Sequence, residues 1–388
     1  MLSDLEAVQA VLAKARCPED VFGVLHGGGV AELHAALKKS YHQVARVVHP
    51  DKYADQPVAF KLATGLFGHV TEWFQKARSK VDAKTYGDNA PHVEAPPKPA
   101  ISPQIIQTPK GKYIVTELLA HGDLADLYRC SYTDEDGREQ RAVFKIAQSA
   151  ADNDLLENEQ KTLRAMYAPA QAEEKFYRYL PKLHDSFLLR QERGANRRVN
   201  VLQLADGYVS LAEVMEAFPS GIDVADAAWM FKRALACLWY VHERKGVVHG
   251  AVLPEHVLVH PKRHGAKLVD WCYAVSDWKT TDGKVKAISK ARRAYYAPEV
   301  LSKGRVTPQT DIYMLGKCMV ALLGGSAEGR ETPDTVHVGM KSFLRSCLIE
   351  AQPMRPDDAG KLHEDLDELL LRIVGPREYR ELTMPAKV

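Results

Sequence analysis

Six prolines crowd the stretch from Asn89 to Pro109, at Pro91, Pro96, Pro97, Pro99, Pro103 and Pro109. No helix interior or central strand passes through such a tract, because proline lacks the amide donor and fixes its own φ. Prolines at this density predict an extended, semi-rigid tether. A proline-motif ligand is the other reading of such a segment. We place a linker over 89–111, with one domain on each side. In a chain of 388 residues both parts are long enough to bury a core. Their textures differ: helical periodicity before the linker, strands and then helices after it.

Composition narrows the function classes. The net charge of +2 gives no global field for nucleic acid or a membrane surface, so neither is expected as a partner. Six cysteines are scattered with no C-x-x-C spacing. That argues against a zinc site or a disulfide framework and suits a reducing compartment. No basic-then-apolar leader and no membrane-length apolar run is present, so a cytoplasmic location is expected.

In the first part, residues 3–15 predict a helix with Leu5, Val8, Val11 and Leu12 on one face. The triplet Gly27-Gly28-Gly29 then breaks the chain. Apolar residues recur at Leu33, Leu37, Tyr41, Val44 and Val48, while Lys38, Lys39, His42 and Arg46 occupy the opposite face. Pro50 ends that helix and drives His49 towards an extended conformation. A second stripe runs through Phe60, Ala63, Phe67, Val70, Phe74 and Ala77. Packing the stripes together leaves His49-Pro50-Asp51 at the tip of a helical hairpin. Segment 1–88 resembles a DnaJ-family J domain, with Glu19–Leu25 as its short first helix and residues 37–52 as its basic helix and loop. The resemblance implies that His49, Pro50, Asp51, Lys38, Lys39 and Arg46 contact a DnaK-type chaperone and trigger its ATPase. Val48 departs from the usual aromatic before the histidine, and Gly65 and Gly68 weaken the following helix.

Beyond Lys112, the segments 113–115, 125–130, 141–146, 187–190 and 198–204 read as strands and 154–166 as a helix. A mostly helical half follows, with short strands at 257–259 and 267–269. This predicts a two-lobed α+β architecture. Residues 112–375 resemble the protein-kinase fold, with an N-lobe over 112–207, a C-lobe over 208–375 and a tail over 376–388. Lys145 matches the strand lysine that meets nucleotide phosphates, Glu159 its helical partner, and Asp270 the metal-binding aspartate. Ala297-Pro298-Glu299, Asp311 and Arg355 follow in family order.

The catalytic loop departs from that pattern. His249-Gly250-Ala251-Val252-Leu253-Pro254-Glu255-His256 stands where the family has His-Arg-Asp-Leu-Lys-Pro-Glu-Asn. Ala251 cannot orient a substrate hydroxyl, Leu253 cannot offset phosphoryl charge, and His256 is a poor magnesium ligand. Gly250 removes the arginine that reads a loop phosphate. The phosphate loop, Leu119–Ala125, keeps one expected glycine, Gly122. Weak binding of ATP with magnesium is the expected upper limit of cofactor use, through Lys145, Glu159, Asp270 and Gly122. Together the two resemblances imply a J-domain co-chaperone with an inactive kinase-like domain that recruits a protein client. An atypical ATP-dependent phosphotransferase and a non-stimulating scaffold are the alternatives.

Overall fold

The computed structural model describes residues 2–15, 17–25, 29–53, 56–87, 103–167, 174–190, 194–376 and 379–385. The chain divides into two compact units, residues 1–97 and 98–387.

The first unit is all helical: α1 (Leu2–Lys14), α2 (Glu19–Phe22), α3 (Val30–Val48) and α4 (Pro57–Asp82). Helix α3 ends because Pro50 holds His49 extended, at φ −66° and ψ 125°. A 3₁₀ turn over Pro50–Tyr53 leads on, and the Tyr53 hydroxyl donates to the Val47 carbonyl at 2.9 Å. Pro57 starts α4 at a position where its missing N–H has no intrahelical partner to lose. Gly65 and Gly68 lie inside α4 without interrupting it. Leu5, Leu37, Val48, Ala63, Leu66, Val70 and Ala77 form the core. Two expected core positions are instead exposed: Val11 on α1 and Phe60 on α4. Phe60 sits in the first turn of α4, where its neighbour Ala59 is buried instead, and Leu66 is buried beside the half-buried Phe67. Of the glycine triplet, Gly27 and Gly28 lie outside the described residues, while Gly29 caps α3.

A buried ion pair ties α2 to α4. Glu19 is buried, and its Oε1 accepts from Lys80 Nζ at 2.5 Å and from the Gly87 amide at 2.9 Å. Burial acts to raise the Glu19 carboxyl, but Lys80 and the amides hold it below the ordinary value.

The second unit begins with a six-stranded antiparallel sheet in the order β1-β2-β3-β4-β6-β5. Its strands are β1 (Gln104–Thr108), β2 (Gly111–His121), β3 (Ala125–Thr133), β4 (Glu139–Ala147), β5 (Leu183–Leu189) and β6 (Arg197–Gln203). Helix α5 (Asn153–Met166) packs beside the sheet and α6 (Glu174–Tyr177) is a single turn. Strand β1 corrects the expected linker, which ran to residue 111. Gln104–Thr108 pairs in register with Gly111–Val115, fitted between Pro103 and Pro109 at the sheet edge, where flanking prolines are tolerated. Residues 89–102 of the tether lie outside the described residues.

The larger lobe follows: β7 (Val209–Ser210), α7 (Leu211–Ala217), α8 (Val224–Trp239), β8 (Val247–Val248), β9 (Val257–His260), β10 (Gly265–Leu268), β11 (Val275–Ser276), α9 (Pro298–Leu301), α10 (Pro308–Leu322), α11 (Val338–Cys347) and α12 (Ala359–Ile373). Helices α8 and α10 are apolar nearly all round and form its centre through Phe231, Leu235, Leu238, Ile312, Leu315 and Met319. The tail expected beyond residue 375 belongs to this lobe. Leu382 is buried, its amide donates to the Pro261 carbonyl, and Arg380 pairs with Asp223 and Asp226. Among the described residues no helix is long and apolar enough to cross a membrane.

Removing Lys80 would strand a buried carboxylate. Lys80→Met should destabilise the first unit by roughly 3 kcal/mol, against almost nothing for Lys61→Met on the exposed face of α4. Urea denaturation of the two variants checks this, and equal midpoints would contradict it.

Candidate functional site

Four side chains from four elements meet in the cleft between the lobes. Lys145 lies on β4, opposite Asn200 of β6 in the sheet register. Its Nζ donates to Glu159 Oε1 of α5 at 2.9 Å, to Asp270 Oδ1 at 2.9 Å and to Cys272 Sγ at 3.2 Å. Glu159 is further held by the Trp271 amide at 3.2 Å and by Asn200 Nδ2 at 2.9 Å on its other oxygen. Burial pulls the Lys145 ammonium towards neutrality, but the carboxylates of Asp270 and Glu159 raise it well above its ordinary value. Burial raises the Cys272 thiol well above the ordinary range, so it stays neutral.

The second oxygen of Asp270 faces His256. Nε2 of that ring lies 3.2 Å from Asp270 Oδ2, and Nδ1 lies 2.8 Å from the Ala251 carbonyl oxygen. Burial lowers the His256 imidazole, yet Asp270 more than offsets it and the net shift is upward. Burial raises Asp270, and the two cations beside it bring it well below the carboxylate range. The result is a nearly neutral quartet of two cations and two carboxylates. Asp270 itself is held in the left-handed region, φ 64° and ψ 64°, uncommon for a residue other than glycine.

The loop carrying Ala251 hangs from one buried carboxylate. Asp311, in the first turn of α10, accepts the His249 amide at 2.7 Å, the Gly250 amide at 2.9 Å and His242 Nε2 at 2.9 Å. Gly250 has φ 78°, and a Cβ there would lie 2.7 Å from the Tyr273 carbonyl oxygen. The backbone is therefore set for glycine, and no arginine side chain fits this conformation. Ala251 and Leu253 are buried. The Ala251 methyl, at the position where the family pattern has aspartate, cannot accept a proton. Lower in the same lobe, Arg355 makes a bidentate pair with Glu299, at 2.7 and 2.9 Å.

These residues can be tested against ATP and magnesium. A kinase-like domain is consistent with both, and Lys145 and Asp270 are of the right chemical kind. Their arrangement does not fit a metal–phosphate centre. Ligand atoms of Glu159, Asp270 and Cys272 lie within 4.8 Å of one another, but the cation bridging all three is Lys145. Both oxygens of Asp270 are engaged, and a divalent ion would have to displace His256. In the loop before β3, the Gly122 amide donates to the Ala125 carbonyl at 3.0 Å, and Gln148 Nε2 donates to the Gly122 carbonyl at 2.8 Å. That amide closes its own turn instead of facing a phosphate.

In the first unit, the tip residues stand in water. The His49 side chain is 47% exposed and that of Asp51 87%, with His49 Nδ1 3.6 Å from Asp51 Oδ2 and 3.4 Å from the Asp51 amide. The His49 ring lies edge-on to Phe67, with centroids 5.3 Å apart. An open groove of about 520 Å³ runs beside it, with Tyr41, Ala45 and Phe67 as its apolar lining and His42, Arg46, His49 and Lys52 as its polar lining. Lys38, Lys39 and Arg46 are exposed. Among the described residues none of the three has a carboxylate partner.

Sequence reasoning missed Asn200, His242 and the Cys272 thiol. Asn200 carried a signal, being a polar residue between Val199 and Val201 in a strand whose neighbours are all buried. His249 offers a test of the loop. Its Nε2–H donates to the Val269 carbonyl at 3.0 Å and its Nδ1 accepts the Ala251 amide at 3.3 Å, a pattern only the neutral ring satisfies. Burial pushes its pKa down to about 4. The unfolded chain binds this proton first, so the stability it confers is full above pH 6.5 and falls as pH drops towards 4. The loss over that window should be on the order of 3 kcal/mol and smaller in His249→Gln. Denaturant midpoints at pH 7 and pH 4.5 for both proteins measure it, and parallel losses would contradict it.

The protein kinase domain family matches residues 188–385, from within β5 through the docked tail. Lys145 and Glu159 lie before the matched region. No J-domain family is matched. The serine/threonine-protein kinase CHK1 of Saccharomyces cerevisiae is 32% identical over 129 residues, covering 32% of this chain and 24% of that protein. The chain thus spans about a quarter of the length of that curated relative. With the two-lobed fold, the Lys145–Glu159 pair and the Glu299–Arg355 tie already in place, the chain belongs to the protein kinase family.

Proposed function

We propose that this chain is a J-type co-chaperone whose kinase domain recruits a protein and transfers no phosphate. The observation that carries the first half is the exposed His49-Pro50-Asp51 tip beside an apolar groove with a basic rim. Uncompensated cations at Lys38, Lys39 and Arg46 suit an acidic face on a DnaK-type chaperone, since such charges steer encounter. The second half rests on Ala251, Leu253 and His256, with Asp270 engaged on both oxygens. Losing one charge-stabilising or positioning group can cost 100-fold or more in rate, and here three are replaced. Any binding of ATP is expected to be weak, because magnesium reaches Asp270 only by displacing His256. Sharing a chain lets a client held by the kinase domain meet the chaperone at high effective concentration.

A second reading, an atypical phosphotransferase, is favoured by one observation: the Lys145–Glu159 ion pair is formed and buried. We place it second because that pair also serves to neutralise the cleft.

Single-turnover ATP hydrolysis by a DnaK-type chaperone tests the proposal. Full-length protein should accelerate it, and His49→Gln should abolish the acceleration while keeping the same melting temperature, since an exposed loop side chain carries little stability. Lys38→Glu combined with Lys39→Glu should slow association, and added salt should reproduce that effect in the wild type. Equal acceleration by wild type and His49→Gln would overturn the J-type assignment, and no acceleration by the wild type would leave the scaffold reading.

A further inference from the structure

Away from the cleft, a cavity of about 100 Å³ opens where α6 ends, beside α8 and the turn between β9 and β10. Three arginines line it, Arg178, Arg233 and Arg263, with the Tyr208 hydroxyl and the backbone of the turn at His264. No lining residue is acidic. Among the described residues no carboxylate lies within 4.0 Å of any of the three guanidinium groups. Arginines elsewhere on this surface do find partners: Arg141 pairs with Asp206, Arg330 with Glu350, and Arg380 with Asp223 and Asp226.

The cavity is built, not merely basic. Arg178 is held through Nε to the Lys175 carbonyl at 2.7 Å, and Arg233 through Nε to the His264 carbonyl at 3.0 Å. Anchoring at Nε leaves the terminal amines of both side chains for another acceptor. The His264 ring is stacked on Trp229 at 4.0 Å and packed by Tyr379 at 4.8 Å, which fixes the turn. A Cβ on Gly265 would lie 2.6 Å from the Tyr208 oxygen, so glycine is what lets the hydroxyl approach the turn. That hydroxyl has no hydrogen-bond partner among the described residues. Every side-chain group with spare capacity here is a donor or a cation, and like charges gathered without a counter-ion repel.

We propose that this cavity binds a phosphomonoester. Three guanidinium groups and one hydroxyl match a tetrahedral dianion, which takes several charge-assisted hydrogen bonds at once. A cavity of about 100 Å³, open to solvent past the exposed Arg178, Arg233 and Arg263, has room for a phosphoryl group. The ester's source is either a small free phosphate or a phosphorylated serine of a docked protein, and the two share this chemistry. The site is independent of the co-chaperone assignment.

Calorimetric titration of the full-length protein with inorganic phosphate, with a phosphoserine peptide and with the same peptide unphosphorylated tests the proposal. Phosphate or the phosphopeptide should bind, and the unphosphorylated peptide should not. Arg233→Gln and Arg263→Gln should each weaken binding roughly tenfold or more, with Lys262→Gln, an exposed neighbour outside the cavity, leaving it unchanged. Melting temperatures of the variants identify any that fail to fold, and Arg178→Gln then serves in place of that variant. Tighter binding of the phosphopeptide assigns a protein ligand, and equal binding assigns free phosphate. Absence of binding by both phosphates, or binding indifferent to all three arginines, overturns the proposal.

Discussion

One buried ammonium organises the kinase domain. Lys145 Nζ joins a sheet strand, a helix and the segment after β10 by bonding Glu159, Asp270 and the Cys272 sulfur. A lone lysine at this depth would be deprotonated by desolvation. It stays charged because two carboxylates converge on it, and the excess negative charge is met by His256. A cation on a side chain thus stands where the family pattern calls for a metal ligand. In this arrangement both oxygens of Asp270 are engaged, one by Lys145 and one by His256.

The catalytic loop follows the same logic at a second carboxylate. Asp311 organises His249, Gly250 and His242, and Gly250 lets the loop pass close to the Tyr273 carbonyl. The framework that shapes an active loop is retained while the reactive side chains on it are replaced. Asp311 fixes the loop backbone through three hydrogen bonds, while Ala251 and Leu253 are buried in the core of the lobe.

Much of this was legible in the order of residues. Lys145, Glu159, Asp270, Asp311, Glu299 and Arg355 appear in family sequence, and the fold brings Lys145 to Glu159 and Asp270 and Arg355 to Glu299. What was not legible is partnership across long separations. Nothing local shows that His256 would turn to Asp270, that Asn200 would complete the hold on Glu159, or that the Gly122 amide would close its own turn. The strand at Gln104–Thr108 was hidden by its flanking prolines, which rule out a central strand but not an edge. The docked tail was hidden because Leu382 and Arg380 find their partners only on the folded surface of α8 and the β9–β10 turn. In the first unit periodicity identified the helices, yet it could not tell that Phe60, at the start of α4, points to solvent.

We propose that the cleft is a self-neutralised structural unit that transfers no phosphate. Incubation of the full-length protein with radiolabelled ATP and magnesium or manganese, beside a Lys145→Met control, tests it most directly. We expect label incorporation in the wild type equal to that in the control. Robust autophosphorylation that disappears in Lys145→Met would contradict the account.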